Sequence, residues 1–140
     1  MATTIRPADW NTDRAAIRAV REAVFIREQK VDPAIEWDDQ EESAQHFLVL
    51  EGDSPVGTGR ITGSGKIGRM AVLQSARGSG IGLRLLESIC AYARQAGLQS
   101  VYLHAQRHAE DFYRKAGFVA EGDEFIEADI PHIKMVRHFD

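Results

Sequence analysis

The sequence contains almost no cysteine, no long apolar run and no excess of basic charge. Its single cysteine, Cys90, cannot form an internal disulfide, and this predicts a reducing, cytoplasmic location. The apolar runs are short, as at residues 47–50, so we expect no membrane-embedded segment. The N-terminus has no basic stretch followed by an apolar core, and we expect no secretion signal. The formal net charge of −4 disfavours nucleic acid as a partner.

What is present is a globular composition with an uneven charge distribution. Hydrophobic residues make up 44% and charged residues 27%, and the length suits a single domain over residues 1–140. Between Val31 and Gly59 the chain has no lysine or arginine but eight acids: Asp32, Glu36, Asp38, Asp39, Glu41, Glu42, Glu51 and Asp53. The acidic loop, residues 32–42, is therefore either solvated decoration, which composition favours, or a surface that attracts a cationic ligand.

Apolar spacing and turn residues predict the element order β-α-βββ-α-β-α-ββ. The predicted strands cover 3–6, 46–51, 56–62, 66–73 and 100–104, with two more around 118–120 and 131–139. Predicted helices cover about 12–30, capped by Asn11 or Thr12, then 81–96 and 109–116. Short turns join the middle strands into an antiparallel meander, whereas the strand after residues 81–96 needs a parallel crossover. The sequence thus predicts an α/β sandwich, mostly antiparallel, with one parallel step.

The stretch 77–82, Arg-Gly-Ser-Gly-Ile-Gly, lies between a predicted strand and the longest predicted helix. Three glycines at alternate positions allow the backbone to approach a ligand without a Cβ in the way. The first N–H groups of a helix have no internal partners, and the helix dipole favours an anion. We therefore predict a phosphate site here rather than a plain chain reversal. Two nucleotide-like motifs, at 60–67 and 63–68, lack the residues or the following helix that such sites require.

Two blocks of the sequence resemble the GNAT superfamily of N-acetyltransferases. Arg-x-x-Gly-x-Gly, filled by Arg77, Gly80 and Gly82, is similar to the acetyl-CoA signature of that family. The stretch 109–118 is similar to its Ala-x-x-Phe-Tyr-x-x-x-Gly-Phe block. Residues 25–29, the acidic loop, His46 and residues 103–106 further resemble the small bacterial ElaA-like subgroup. The resemblance implies a mostly antiparallel central sheet, flanked by helices and splayed into a V at the cofactor site.

The resemblance also implies how acetyl-CoA would be held. The pyrophosphate would lie against the backbone of Arg77, Gly78, Ser79, Gly80, Ile81 and Gly82. The pantetheine arm would bind the main chain of Met70 and Val72, as an added strand between splayed parallel strands. Gln106 stands where many relatives have Asn, and is one methylene longer. No metal is expected, because the five histidines lack ligand spacing apart from His104 and His108.

The implied reaction is direct attack of an amine on a thioester. It needs an N–H donor for the oxyanion, here expected near Ala71 or Val72, and an acid for the leaving thiolate. Tyr113 is the candidate acid, although it also falls on an apolar stripe that suits a core position. Glu28 is the first candidate base. Glu36, Asp39, His46 and His104 remain open as alternatives.

The sequence therefore predicts an acetyl-CoA-dependent N-acetyltransferase that acts on a small-molecule or peptide amine through a ternary complex. The resemblance also leaves room for a homodimer that pairs through exposed C-terminal strands. One alternative is a non-catalytic module that binds or senses acyl-CoA. Another is a nucleotide-binding regulator, which the incomplete nucleotide motifs disfavour.

Overall fold

Seven strands form one mixed sheet in the computed structural model, which describes residues 2–140. The strands are β1 (Thr3–Ala8), β2 (Gln45–Glu51), β3 (Ser54–Ile61), β4 (Lys66–Val72), β5 (Ser100–Gln106), β6 (Val119–Glu127) and β7 (Ile130–His138). The α-helices are α1 (Trp10–Arg21), α2 (Pro33–Glu36), α3 (Ile81–Gln95) and α4 (Glu110–Lys115). The spatial order is β1-β2-β3-β4-β5-β7-β6, and the pair β4–β5 is parallel while its neighbours are antiparallel. The predicted fold class is confirmed.

The parallel pair β4–β5 separates almost as soon as it forms. Within the described residues, Lys66 pairs with Tyr102 and Ile67 with Leu103, and the pairing stops there. Just beyond Gly68 on β4 the register with β3 shifts, and Arg69 adopts a left-handed φ of 50°. An extra residue of this kind bends a strand and increases its twist. Beyond it β4 stays with β3, and this leaves the predicted V-shaped gap toward β5.

Helix α3 covers one face of the sheet, and its packing positions the helix N-terminus near the gap. Leu85, Leu86 and Ile89 are completely buried, and Cys90 lies beside them on the same stripe, as predicted. Burying a side chain of this size contributes about 1.5–3 kcal/mol. A Cβ built on Gly59 would lie 2.9 Å from Ile89 Cδ1, so this glycine allows the close approach of helix and sheet. The N-terminus of α3 is therefore held firmly beside the end of β4.

Helix α1 covers the other face of the N-terminal strands, with Ile17 and Val20 buried. Its cap differs from the prediction, because the Asp9 side chain accepts from the N–H groups of Asn11 and Thr12 rather than either of these acting as the cap. Residues Glu22–Glu28 continue the helix as wider π-helical turns, which recur at functional sites.

Two further predictions needed changes. Residues Pro33–Glu36 form the short helix α2, capped by Asp32, within a segment expected to be a loop. Strand β6 is longer than predicted, and it meets β7 in a tight turn at Ala128 and Asp129, whose φ angles are 51° and 62°. Strand β6 forms an edge of the sheet and exposes Val119 and Ile126. The homodimer stays a prediction. Across residues 2–140, no helix combines the length and hydrophobicity needed to cross a bilayer.

Candidate active site

The first turn of α3 forms an open mouth of backbone N–H groups. Gly80 precedes it with a left-handed φ of 82°, and Gly78 has a φ of 88°. A Cβ at either position would meet no atom within 4 Å among the described residues. No side chain within residues 2–140 caps this helix. Unpartnered N–H groups at the positive end of a 15-residue helix favour an anion. We call residues 77–82 the cofactor mouth.

Arg77 lies beside this mouth in a network of its own. Its Nε donates to the carbonyl oxygen of Val72 at 2.9 Å. Its two Nη atoms donate to the two carboxylate oxygens of Glu28, each at 2.7 Å. This hydrogen bonding lowers the pKa of Glu28 and raises the pKa of Arg77. Glu28 is not among the described residues that line the pocket beside the gap between β4 and β5. Its role as general base therefore stays a prediction that this geometry does not support.

The main chain of Val72 faces the gap between β4 and β5. The Leu73 N–H donates to the Val56 carbonyl on β3, so these two residues form a hydrogen-bonded pair. Successive pairs of an antiparallel ladder alternate between hydrogen-bonded and non-hydrogen-bonded. The next pair, Val72 with Gly57, is therefore not hydrogen-bonded. Ala71 therefore directs its N–H and C=O toward β3, whereas Val72 directs its own away from β3. The bond from Arg77 to the Val72 carbonyl agrees with this direction. Of the two predicted oxyanion donors, the N–H of Val72 is the one aimed at the gap.

A pocket of about 430 Å³ opens beside the gap, and we call it the acceptor pocket. Its walls come from the π-helical turns, the acidic loop, β4, β5, α4 and the β6–β7 hairpin. Among the side chains on these walls are Phe25, Met70, Gln106, Tyr113, Glu127 and His132. Met70 and Gln106, both predicted to bind the cofactor, therefore lie on the wall of this pocket. The Gln106 amide donates to Gln29 Oε1 at 3.0 Å across the pocket.

Tyr113 packs against other aromatic rings and also lines the acceptor pocket, the two environments that its sequence position suggested. Its ring packs edge-on against Phe112 and Phe118, with centroids 5.1 Å and 6.1 Å away, and it also lines the acceptor pocket. Burial raises the pKa of Tyr113 to about 12. Desolvation is the sole cause of this shift, and no hydrogen bond contributes to it. The phenol is therefore protonated at neutral pH.

Half of the six acids of the acidic loop are paired with arginines, whereas Asp32, Asp39 and Glu42 are exposed. Arg21, which is 1% exposed, donates from Nε to Glu36 at 2.7 Å and from Nη1 to Glu41 at 2.9 Å. Arg60 donates to Asp38 at 2.6 Å and to Glu41 at 2.7 Å. These arginines neutralise three acids of the loop. Desolvation raises the pKa of Glu36, whereas the hydrogen bond from Arg60 lowers the pKa of Asp38 to about 2.

Arg69 connects the acidic loop to the bulge in β4. Its guanidinium donates to the carbonyl oxygens of Ile35 at 3.3 Å and Glu36 at 3.2 Å, and to the Asp38 carboxylate at 3.3 Å. The residue with the left-handed backbone at the splay is therefore tied to the loop that lines the acceptor pocket. Charge pairing of this kind fixes the pocket wall against the strand that leads to the cofactor mouth.

The histidines fall into separate environments. His46 is buried, its Nε2 lies 2.7 Å from the Glu41 carbonyl oxygen, and burial lowers its pKa. His104 and His132 line the acceptor pocket around Glu127. Residues 2–140 contain no group of three or more His, Cys, Asp or Glu side chains arranged to hold a metal ion.

The sequence reasoning missed the arginine network and Glu127. One signal was available for Arg21, because it stands four residues after Ile17 and so falls on the buried stripe of α1. A charge at such a position predicts a buried ionic partner. Glu127 gave no comparable signal, because its approach to His104 depends on the pairing of β6 with β7 and of β7 with β5.

Comparison with known proteins agrees with this arrangement. A protein-family model described as an acetyltransferase (GNAT) domain matches residues 13–139. The chain is 38% identical over 122 residues to YjcF, an uncharacterized N-acetyltransferase of Bacillus subtilis, with 84% of this chain and 87% of that protein covered. Among solved structures, an acyl-CoA N-acyltransferase from Pseudomonas aeruginosa is similar with a TM-score of 0.87 and 30% identity, over 97% of this chain and 99% of the other.

The ElaA protein of Escherichia coli is similar in both sequence and structure. The sequences are 32% identical over 130 residues, which covers 87% of this chain and 85% of ElaA. The structures agree with a TM-score of 0.87 at 28% identity, over 96% of this chain and 99% of the ElaA chain. The resemblance drawn from the two sequence blocks is confirmed. An open helix N-terminus, a splayed parallel pair and a family match over residues 13–139 lead to one conclusion: this chain belongs to the GNAT family of acetyltransferases and is an acyltransferase.

Proposed function

We propose that this acyltransferase moves the acetyl group of acetyl-CoA onto a primary amine by direct attack within a ternary complex. The family uses acetyl-CoA or another acyl-CoA as co-substrate and acts on amine acceptors. One observation carries the proposal: β4 connects the acceptor pocket to the cofactor mouth. Met70 lines the pocket, and Val72, two residues later, accepts a hydrogen bond from Arg77 of the mouth.

The residues of the cofactor mouth suit a pyrophosphate. The N–H groups of Ile81 and Gly82 begin α3 without a side-chain cap among the described residues, and Gly78 and Gly80 leave open space in front of them. Ser79 donates its hydroxyl to the Ala76 carbonyl, which holds the turn. The main chain of Met70 and Val72 would bind the pantetheine arm along the open side of β4. These contacts are mostly made by backbone, so they suit the common part of any acyl-CoA.

Two groups on the chain suit the chemical step. The Val72 N–H would stabilise the oxyanion that forms when the amine attacks the thioester carbon, and such donors contribute about 10²–10³-fold in rate. Tyr113 would donate its proton to the sulfur as the carbon–sulfur bond breaks. Its pKa of about 12 keeps the phenol protonated. Desolvation also raises the pKa of the leaving thiol. The pKa values of the phenol and the thiol therefore stay closer together.

Direct attack is favoured over an acyl-cysteine route. Cys90 is the sole cysteine of the sequence, and it is buried on the core stripe of α3. Burial raises the pKa of the Cys90 thiol to about 11, and the thiol does not line the acceptor pocket as described for residues 2–140. A thiol that is protonated and enclosed is a poor nucleophile.

The test is a panel of amines assayed for free-thiol release from acetyl-CoA. The panel contains a peptide N-terminus, a lysine side chain, a polyamine, an aminoglycoside and free amino acids, and a reaction without amine measures hydrolysis. The proposal expects release above hydrolysis with at least one amine class, together with the acetylated amine by mass spectrometry. Tight acetyl-CoA binding by calorimetry with no release for any amine would instead favour the non-catalytic sensing module.

A further inference from the structure

Three side chains on one wall of the acceptor pocket have no role in the chemistry above. They are His104 on β5, Glu127 on β6 and His132 on β7. His104 follows Leu103, the residue at which pairing with β4 ends. Leu103 and Ala105 turn into the core, so strand alternation places the His104 side chain on the pocket side, where it is 25% exposed. His104 therefore stands where the acceptor amine would approach the gap.

Glu127 determines which nitrogen of His104 carries the proton. The distance from His104 Nδ1 to Glu127 Oε1 is 3.1 Å. An ionised carboxylate only accepts hydrogen bonds, so Nδ1 is the protonated nitrogen. In the neutral ring Nε2 then has a free lone pair, and within residues 2–140 no hydrogen bond engages it. Phe125 packs edge-on against the ring with centroids 4.9 Å apart, which restricts its rotation.

The Glu127 carboxylate is held in its charged form. Burial by itself raises the pKa of Glu127, but the hydrogen bond from His104 and nearby positive charge, such as that of Lys66, outweigh burial and lower it. His132 donates from Nδ1 to the Ile130 carbonyl at 2.6 Å, and its Nε2 lies 3.8 Å from Glu127 Oε2. One carboxylate thus lies between two imidazoles, and His104 is the imidazole whose second nitrogen is free.

The other candidate bases are engaged elsewhere or lie outside the pocket. Glu36 lines the pocket, but Arg21 binds its carboxylate. Asp39 is exposed, and the described residues that line the pocket do not include it. Glu28 is bound to Arg77 through both oxygens. His46 is buried against the Glu41 carbonyl, and the described residues that line the pocket do not include it.

We propose that His104 is the general base of the transfer, a catalytic residue whose Nε2 accepts a proton from the ammonium form of the acceptor, with Glu127 as its positioning residue. This inference rests on the proposed function. One proton passes from the ammonium to Nε2 and on to solvent. The neutral amine forms the nitrogen–carbon bond as the carbon–sulfur bond breaks. Tyr113 gives its proton to the leaving sulfur, and the surplus proton of the new amide nitrogen passes to the resulting phenolate, which restores the Tyr113 phenol.

The experiment measures kcat/KM against pH for the wild type and for His104→Gln, with the best amine of the panel. A base that must be neutral gives a rate that falls at acidic pH. We expect His104→Gln to lower kcat/KM at neutral pH by about 10²-fold, within the range for general-base catalysis, and to show in place of this limb a rise toward alkaline pH that follows the fraction of neutral amine. Above about pH 9, where more of a simple amine is already neutral, the two rates should converge.

Glu127→Gln tests whether the charge of Glu127 matters or whether the residue only holds the His104 ring in place. The glutamine carbonyl can still accept from Nδ1, so the ring stays oriented, but the negative charge that favours the imidazolium is lost. We expect a loss of about tenfold and an acidic limb moved to lower pH. The charged and titratable groups around His104 are Tyr102, Lys66, Tyr113, Glu127, His132 and Lys134. His138→Gln, a change at an exposed histidine at the end of β7, is the matched control and should leave the profile unchanged.

Several outcomes would overturn the inference. If His104→Gln keeps the limb and a rate within about threefold of wild type, His104 is not the base, although the proposed function survives. An unmoved limb in Glu127→Gln removes its positioning role. If His104→Gln does not fold, nitrogen NMR of the wild-type ring decides: a proton on Nε2 rather than Nδ1 contradicts the proposal. Absence of thiol release by the wild type with every amine would overturn the proposed function and this inference together.

Discussion

The cofactor mouth and the acceptor pocket are connected by β4 but are built from different parts of the chain. The mouth is one continuous stretch, residues 77–82, and it presents backbone N–H groups in open space. The pocket is assembled from side chains on several separate elements, and buried ion pairs around Arg21 and Arg60 hold its wall. The mouth is therefore sensitive to backbone conformation, and the pocket to charge and pH.

This difference also separates what each region recognises. A row of N–H groups at a helix end fits the diphosphate that all acyl-CoA molecules share. The pocket instead has fixed charges and a histidine pair, and such groups discriminate among acceptors. Substitutions in the mouth should therefore change cofactor affinity, while substitutions in the pocket should change the chemical step or the stability of the wall.

The largest expected effect is at Tyr113, where the two regions meet. We expect Tyr113→Phe to lower kcat by about 10²–10³-fold, because it removes the proton for the leaving thiolate. The Kd for acetyl-CoA should stay within about twofold, and the melting temperature should not fall, because phenylalanine keeps the packing of the ring against Phe112 and Phe118. Unaltered turnover with a true acceptor would remove Tyr113 from the mechanism.

Asp38→Asn tests the ionic wall of the pocket. The hydrogen bond from Arg60 depresses the folded pKa of Asp38 from 3.8 to about 2. The stabilisation is therefore complete above the unfolded pKa and is lost as the pH falls through about 2. We expect Asp38→Asn to lower the free energy of unfolding by about 2 kcal/mol at neutral pH, measured by urea denaturation.

The same measurement near pH 2 should give nearly equal stabilities for the wild type and Asp38→Asn. Asp39→Asn is the matched control, because Asp39 is the exposed neighbour and forms no ion pair within the described residues. If Asp38→Asn and Asp39→Asn have the same small effect at neutral pH, the wall does not depend on this ion pair.

Gly80→Ala tests the backbone character of the mouth, and Gly97→Ala is its counterpart beyond the other end of α3. Gly80 has a φ of 82° and Gly97 a φ of 93°, and neither position is crowded. A Cβ in this region costs about 1–2 kcal/mol. We expect similar losses of stability but an acetyl-CoA Kd about tenfold weaker in Gly80→Ala alone, by calorimetry. Equal affinities in the two variants would contradict the location of the mouth.

The smallest expected effect is that of Glu28→Gln. The Glu28–Arg77 pair is 39% exposed on both side chains, so the loss of stability should be below about 1 kcal/mol and should shrink with added salt. Turnover should stay within about threefold of wild type, because the carboxylate lies apart from the acceptor pocket. A large loss of kcat together with loss of the acidic limb would instead establish Glu28 as the base.

The sequence predicted the parts of this molecule that depend on local spacing. Ile81, Leu85 and Ile89 lie four residues apart, and helical geometry alone places them on one buried face. The glycines of the mouth stand at alternate positions within six residues, because a backbone site is made by one short stretch of chain. Both features could therefore be predicted without knowledge of distant contacts.

Features that depend on distant partners were not predicted. Arg69 takes a left-handed backbone that no local pattern of a β-strand suggests, and the acidic loop holds its side chain from more than 30 positions away in the sequence. Glu127 approaches His104 only after β6 and β7 have paired. The pairing of Glu36, Asp38 and Glu41 was not predicted for the same reason, because their arginine partners come from α1 and β3.

A crystal structure of the protein with acetyl-CoA tests the central claim most directly. Our account predicts pyrophosphate oxygens within hydrogen-bond distance of the N–H groups of residues 78–82, and the thioester in the gap beside Val72 and Tyr113. Pyrophosphate bound elsewhere, for example in the open cleft lined by Trp10 and Leu98, with the N-terminus of α3 empty, would contradict it.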